Sequence, residues 1–255
     1  MSISAQPLPV QAIAEDQHWW FAGRVRALHA VAAPHLGSNL RVLDVGCGAG
    51  NMMHHLARYG SVKGVEVDPR PFALARQRGY DVKLADAGVA IPFGNGQFDL
   101  VSALDVIEHT QDDLAVLNEC RRVLAPGGHL LLTVPAFMFL WSHNDVLNAH
   151  VRRYTAGELK RKLESAGFRL RRLSYNNFVV FPLAALLILL RRRTQAAPQL
   201  RSHHFQPDAY QVDMEPASPL VNALLSQVGK VEAQWLRALN LPWGTSLIAL
   251  SQAEG

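Results

Sequence analysis

The stretch VLDVGCGAG at positions 42–50 constrains the fold more than any other part of the chain. An apolar, β-branched run, Leu40–Val45, reads as a strand and opens onto three glycines at alternate positions, Gly46, Gly48 and Gly50. Glycines directly after a strand let a ligand approach the main chain closely. A helical stretch from Asn51 completes a β-α unit, and the same alternation recurs along the chain. Strands are expected at Val62–Val67, Tyr80–Leu84, Phe98–Leu104, His129–Val134 and Phe168–Ser174. Between them, Asp68 should cap one helix, with Pro69 tolerated in its first turn, and Thr155 should cap another, with Glu158 three residues on.

This pattern specifies an α/β fold, a Rossmann-like, mostly parallel sheet with helices on both faces. Hydrophobic residues make up 49% of the 255 and charged residues 18%, so the chain can bury a large core and is not globally disordered. The two cysteines, Cys47 and Cys120, fall in the glycine loop and in a helical stretch, which argues against a disulfide framework. The first residues, MSISAQPLPVQ, carry neither a basic start nor an apolar run, so a cytoplasmic protein is expected.

What would the glycine loop hold? A phosphate loop needs Lys and Ser or Thr after its last glycine, and Asn51-Met52 stands there instead. The spacing G-x-G-x-G misses the dinucleotide pattern G-x-G-x-x-G by one residue. Asp44 lies just ahead of the loop, where a pyrophosphate would meet a carboxylate. Glu66, Asp86, Asp105 and Glu108 follow the later strands, and in a parallel sheet these ends share one edge. The formal charge is +4, yet this edge is acidic. The ligand is therefore expected to be a cation bearing hydroxyls. S-adenosylmethionine fits, although an acid about 20 residues beyond Gly46 also suits a nicotinamide dinucleotide.

VLDVGCGAG, GVEVDP, AD before IPFGNGQFDLV, LDVIEHT and RRVLAPGGHLLLTVP occur in that order. They resemble the successive signatures of class I S-adenosylmethionine-dependent methyltransferases, in the branch containing the ubiquinone-biosynthesis O-methyltransferases. The resemblance is dense over 40–135 and looser through HVRRYTAGELKRKLESAGF. It implies seven strands with the last antiparallel. It implies that Asp44 and the main chain of Gly46, Cys47, Gly48 and Gly50 hold the methionine end of S-adenosylmethionine. Glu66, with Val67 beside it, would take the ribose, Asp86 and Ala87 the adenine, and Leu104 and Asp105 the region near the methyl group. Trp20 and Arg24, from a helix ahead of the first strand, would close over the cofactor.

An acceptor hydroxyl needs help losing its proton, and histidine suits that task near neutral pH. His109, at the mouth of the fourth strand, is the first candidate base, set against a role capping its loop. The stretch SHNDVLNAHVRRYT adds His143 and His150 as further catalytic candidates and Asp145, Arg152, Arg153 and Tyr154 as acceptor contacts. The arginines could grip an anionic group or simply face solvent. Nothing in the spacing of His143, Asp145 and His150 is diagnostic of a metal, and none is expected. His54-His55 and His203-His204 read as surface pairs.

The alternation breaks after Ser174. FVVFPLAALLILLRRR has an apolar run of about 13 residues, short of the roughly 20 needed to span a bilayer. It reads as a buried helix packed on Leu220–Leu239, as a lid over the acceptor, or as a helix dipping into a membrane interface with Arg191–Arg193 at the headgroups. The expected organisation is an N-terminal helical cap (1–39), a cofactor-binding core (40–175), a helical insertion that is a candidate substrate lid (176–243) and a final strand (244–255). The expected function is methyl transfer to oxygen on a small or lipid-linked acceptor, with peripheral contact at the inner membrane face as an option and no nucleic-acid partner. Two rivals are an NAD-dependent oxidoreductase and a non-catalytic S-adenosylmethionine-binding module at a membrane surface.

Overall fold

The structure is a computed structural model that describes residues 14–194 and 218–254. Seven strands form one sheet: β1 (Leu40–Val45), β2 (Gly60–Glu66), β3 (Val82–Leu84), β4 (Phe98–Leu104), β5 (Leu124–Pro135), β6 (Phe168–Asn176) and β7 (Ser246–Ala253). Their order is β3-β2-β1-β4-β5-β7-β6. Strands β1 to β5 pair in parallel, and β7 runs antiparallel to both its neighbours. The expected sheet and its reversed last strand are therefore present. Strand order turns back between β1 and β4, and the carboxyl ends on either side of such a point form a ligand crevice.

Side chains alternate faces along each strand, so each strand feeds two cores. On one face Leu43, Val101, Leu132 and Ala249 pack under α4 (Asp113–Val123) and α6 (Ala156–Ser165). On the other, Val42, Leu100, Leu131 and Ile248 pack under α1 (Trp19–Ala32) and α8 (Pro219–Ala238). Two short helices, α2 (Asn51–Leu56) and α3 (Pro69–Gln77), follow β1 and β2. Asp68 caps α3, accepting the Arg70 amide at 2.9 Å with Pro69 in the first turn, and Thr155 caps α6 through the Glu158 amide at 3.3 Å. Both cysteines are buried and free.

The inserted segment divides into unlike halves. Helix α8 lies alongside α1 and completes the second core through Ala233 and Leu236. Helix α7 (Phe181–Thr194) meets the chain at a 3-10 turn, Met138–Leu140. It is not the buried helix that its composition invites. Leu183, Leu186, Leu187, Leu189 and Leu190 are all exposed, Leu183 by 62%. The side chains of Arg191–Arg193, and His203-His204, lie outside the described residues.

Candidate active site

The glycine loop stands at the turning point of the sheet. Gly46, Gly48 and Gly50 all adopt positive φ, between 55° and 87°. A Cβ on Gly46 would lie 2.6 Å from Val106 Cγ2, and one on Gly50 would lie 2.5 Å from the Tyr80 ring. The loop is anchored from below, since the Gly46 and Cys47 amides donate to the Val65 carbonyl at 2.8 and 3.1 Å. Glu66 anchors it from the side. One carboxylate oxygen accepts the Gly48 amide at 2.8 Å and the other accepts the Val67 and Asp68 amides at 2.8 and 2.9 Å. Burial, with Asp44 and Glu66 close by, pushes the Cys47 thiol far above its ordinary range, so Cys47 offers no thiolate here.

A cavity of about 150 Å³ opens over this loop, with Phe21, Arg24, Asp44, Gly48, Asn51 and Leu104 in its lining. Asp44 is 2% exposed and accepts a hydrogen bond from Ser102 Oγ at 2.6 Å. Burial raises its pKa to about 7, against the pull of Ser102 and Arg24. A cation seated here would relieve the cost of ionising that carboxyl.

Helix α1 delivers Arg24 to the opposite wall. Its Nη1 lies 2.9 Å from Asp105 Oδ2, its Nη2 lies 3.3 Å from Thr133 Oγ1, and its guanidinium lies 5.6 Å from the centre of the Trp20 ring. Thr133 Oγ1 in turn donates to Asp105 Oδ1 at 2.8 Å. Asp105 holds this position at φ 57°, a conformation that aspartate tolerates better than most residues but that still stores strain. Asp86 and Ala87 follow β3 at the same sheet edge but are not among the residues lining this cavity, and the Asp86 carboxylate caps the Gly88 amide at 2.8 Å. Val67 is exposed at the end of β2.

Beyond Asp105 the chain makes a 3-10 turn, Ile107–His109. Glu108 is fully buried there, and neither carboxylate oxygen has a hydrogen-bond partner. Burial, then the charge of Asp105, raises its pKa well above the carboxylate range. The rings of His109 and His150 meet edge to face at 4.8 Å between centroids. Burial and the neighbouring His150 lower the His109 pKa. His150 Nδ1 lies 2.9 Å from Asp145 Oδ1, which fixes the proton on Nδ1 and leaves Nε2 as the lone-pair nitrogen.

Several residues expected to contact the acceptor are engaged by other parts of the chain. The Asp145 side chain is fully buried at the start of α5 (His143–Leu147). It accepts from the Ser142 amide at 2.7 Å and from Arg153 Nε and Nη2 at 2.7 and 2.9 Å. Burial opposes its charge, but His150 and Arg153 outweigh burial and hold the carboxyl far below its ordinary range. Arg153 Nη1 donates to the Ala136 carbonyl at 3.1 Å. Tyr154 is fully buried, its hydroxyl within hydrogen-bond distance of Asp113 Oδ2 and the Ile107 carbonyl. Arg152 reaches Asp113 at 3.2 Å and the Gln111 carbonyl at 2.8 Å. These contacts staple the loop after β5 onto α4, and they leave Asp145 and Tyr154 no open surface for an acceptor. His143, the first residue of α5, stands apart from the His109–His150 pair, and its buried Nδ1 has no hydrogen-bond partner.

Sequence reasoning missed Ser102, Thr133 and the depth at which Glu108 is buried. The signal was present: Ser102 and Thr133 are polar residues inside otherwise apolar strands, where a buried hydroxyl needs a partner.

Residues 17–173, well over half of the chain, match the family model described as "Methyltransferase domain". The chain belongs to this methyltransferase family. Its cofactor is S-adenosylmethionine, and the residues present fit it: an acidic cavity over a loop whose glycines leave no room for side chains. Among curated relatives, the ubiquinone biosynthesis O-methyltransferase of Pseudomonas aeruginosa is 33% identical over 105 residues, 36% of this chain and 43% of that protein. The protein of the same name from Xanthomonas oryzae is 32% identical over 131 residues, 45% of this chain and 55% of the relative. The chain thus spans about half the length of the curated relatives it matches. A solved S-adenosylmethionine-dependent methyltransferase from Mesorhizobium loti superposes with a TM-score of 0.57 at 16% identity, covering 92% of this chain and 99% of that one. The [4+2]-cyclase SpnF superposes equally well, at 0.57 and 22% identity, covering 92% and 82%. One fold thus carries proteins named for different reactions, and the chemistry resides in the site and not in the fold.

Proposed function

We propose that this methyltransferase transfers the methyl group of S-adenosylmethionine to an oxygen atom of a small, apolar acceptor. One juxtaposition carries the reading. Asp105 joins the cofactor cavity, through Arg24, to the turn that bears Glu108 and His109.

Bound S-adenosylmethionine supplies a methyl carbon already activated by its sulfonium. The protein's work is then alignment, exclusion of water and management of one proton. Asp44 and the Gly46–Gly50 main chain would hold the methionine end, with Leu104 and Asp105 nearer the methyl group. Glu66 would turn part of its hydrogen bonding to the ribose. The imidazoles of His109 and His150 are the groups available to ease an acceptor hydroxyl toward its anion. His150 is the better oriented, because Asp145 fixes its tautomer as Arg153 fixes Asp145.

Oxygen as the attacking atom is supported by the names of the relatives from Pseudomonas, Xanthomonas and Ralstonia, which are O-methyltransferases. An apolar acceptor is supported by the aromatic shelf beside the loop. Phe137 stacks on Phe139 at 5.2 Å and on Tyr175 at 5.0 Å, and Phe181 of α7 closes on it at 5.9 Å. Helix α7 continues this surface outward as a row of exposed leucines, which would suit a lipid-linked acceptor drawn from a membrane face. No described helix is long and apolar enough to cross a membrane. The test is incubation of the purified chain with S-adenosylmethionine and lipid and polar lysate fractions, followed by mass spectrometry. A gain of one methylene in mass on an apolar hydroxyl compound supports the reading, and methylation confined to polar amines overturns it.

A further inference from the structure

The cavity over the glycine loop has one lining acid with no task so far. Asp16 sits on a 3-10 turn, Ala14–Gln17, ahead of α1. We infer that Asp16 is a cofactor contact, a carboxylate that binds the α-ammonium at the methionine end of S-adenosylmethionine, and that His55 is the positioning residue that aims it.

Four observations carry this. First, the glycine loop, Asp16, Arg24, Asp44 and Asn51 line the cavity, and neither Glu66 nor Asp86 is in its lining. This space therefore suits the methionine end of the cofactor and not its nucleoside. Second, the charges correspond. The methionine end brings two cationic centres, the ammonium and the sulfonium, and one carboxylate. The lining brings two carboxylates, Asp16 and Asp44, and one guanidinium, Arg24, whose Nε is buried without a hydrogen-bond partner. An ammonium carries three N–H donors, more than the buried Asp44 carboxylate alone can satisfy once it is bonded to Ser102.

Third, Asp16 is held in place before any ligand arrives. His55 Nε2 lies 2.9 Å from Asp16 Oδ1, and the two side chains are 20% and 25% exposed. His55 lies on α2, the helix that follows the glycine loop, so the contact ties the N-terminal turn to that loop. His54 and His55 look like a surface pair in the sequence, and only His54 is exposed. Fourth, the other end of the turn is pinned independently. Asn222 of α8 accepts the Trp19 amide at 2.8 Å and donates to the Gln17 carbonyl at 3.0 Å. Fixing a binding group ahead of its ligand cuts the ordering cost of binding.

A pair that merely fastened the turn would affect every ligand of the cavity alike. A carboxylate that binds the ammonium affects only ligands that carry one. The inference rests on the methionine end lying over the glycine loop, and it is independent of the acceptor.

The experiment titrates two ligands calorimetrically into the full chain: S-adenosylhomocysteine and its analogue lacking the α-amino group. The parent should bind S-adenosylhomocysteine more tightly than the analogue. Asp16→Asn should weaken S-adenosylhomocysteine binding about tenfold or more and analogue binding by less than about twofold. His55→Ala should shift affinity in the same selective way by a smaller factor, and His55→Gln, which keeps a donor, should recover part of the loss. Ligand-free thermal melts show that each variant is folded, and the His55 variants keep the test open if Asp16→Asn is not. The inference is overturned if folded variants bind S-adenosylhomocysteine as tightly as the parent, or lose the same factor for both ligands. A parent that binds both ligands equally would contradict the placement of the methionine end, and one that binds neither would contradict the cofactor; either result also overturns the inference.

Discussion

Arg24 of the helix before the sheet reaches Asp105 at the end of β4, Nη1 to Oδ2, at 2.9 Å. This pair closes the cofactor cavity from above and makes the N-terminal helix part of the site. Charge-assisted hydrogen bonds of this kind contribute about 1.5–3 kcal/mol. The pair is present without ligand, so Arg24→Ala should lower the melting temperature by a few degrees and, by undoing this wall of the cavity, weaken S-adenosylhomocysteine binding about tenfold or more. Calorimetric titration is the check, and unchanged affinity would remove Arg24 from the site.

Asp44 sets a pH dependence. Burial raises its pKa to about 7 from an unfolded value near 4, so the folded chain binds a proton more tightly there than the unfolded chain does. Ionising it costs stability, and the ligand-free chain should lose stability as pH rises from about 4 to about 7. A bound ammonium group favours the ionised form. Affinity for S-adenosylhomocysteine should therefore rise between pH 5.5 and 8, with its midpoint near 7, and Asp44→Asn should flatten the profile. An affinity that falls across this range in the parent would contradict the assignment.

Asp145 and Arg153 form a buried ion pair. Its side chains are 0% and 11% exposed, and losing one partner of such a buried pair typically costs about 3–5 kcal/mol. Arg153→Ala should lower the melting temperature by several degrees or more. The Asp145 carboxyl is held below its ordinary value, so its stabilisation is complete above the unfolded pKa near 4 and is lost as pH falls below that. Thermal melts of parent and Asp145→Asn should accordingly converge toward pH 2 and diverge at pH 7.

Helix α7 gives a separable prediction. Leu186→Glu with Leu190→Glu should reduce flotation with anionic liposomes while leaving S-adenosylhomocysteine affinity unchanged, because both side chains face outward. Equal flotation of parent and variant would show that these leucines do not meet a membrane.

Much of this architecture is legible locally. The boundaries of β1 and β4, the Asp68 cap and the acidic sheet edge follow from apolar runs, turn chemistry and strand ends, all set by neighbouring residues. What the sequence conceals depends on distant partners. Arg152 and Arg153 look like a solvent-facing cationic pair until Asp113, 39 residues away, and Asp145 claim them. Tyr154 looks like an acceptor contact because nothing nearby reveals that its hydroxyl is buried against Asp113. Of the two helices after β6, the amphipathic α8 joins the core against α1 while the almost wholly apolar run of α7 faces outward, the reverse of what apolar content alone suggests. Glu108 is visible as an acid after β4, but its isolation comes from the tertiary fold.

The most direct test of the central claim, that the acidic rim and the glycine loop select a sulfonium cofactor, is a pair of calorimetric titrations at pH 8. S-adenosylmethionine or S-adenosylhomocysteine should give saturable heat at a single site, and NAD should give none. Saturation by NAD with no heat from either adenosyl compound would contradict the account.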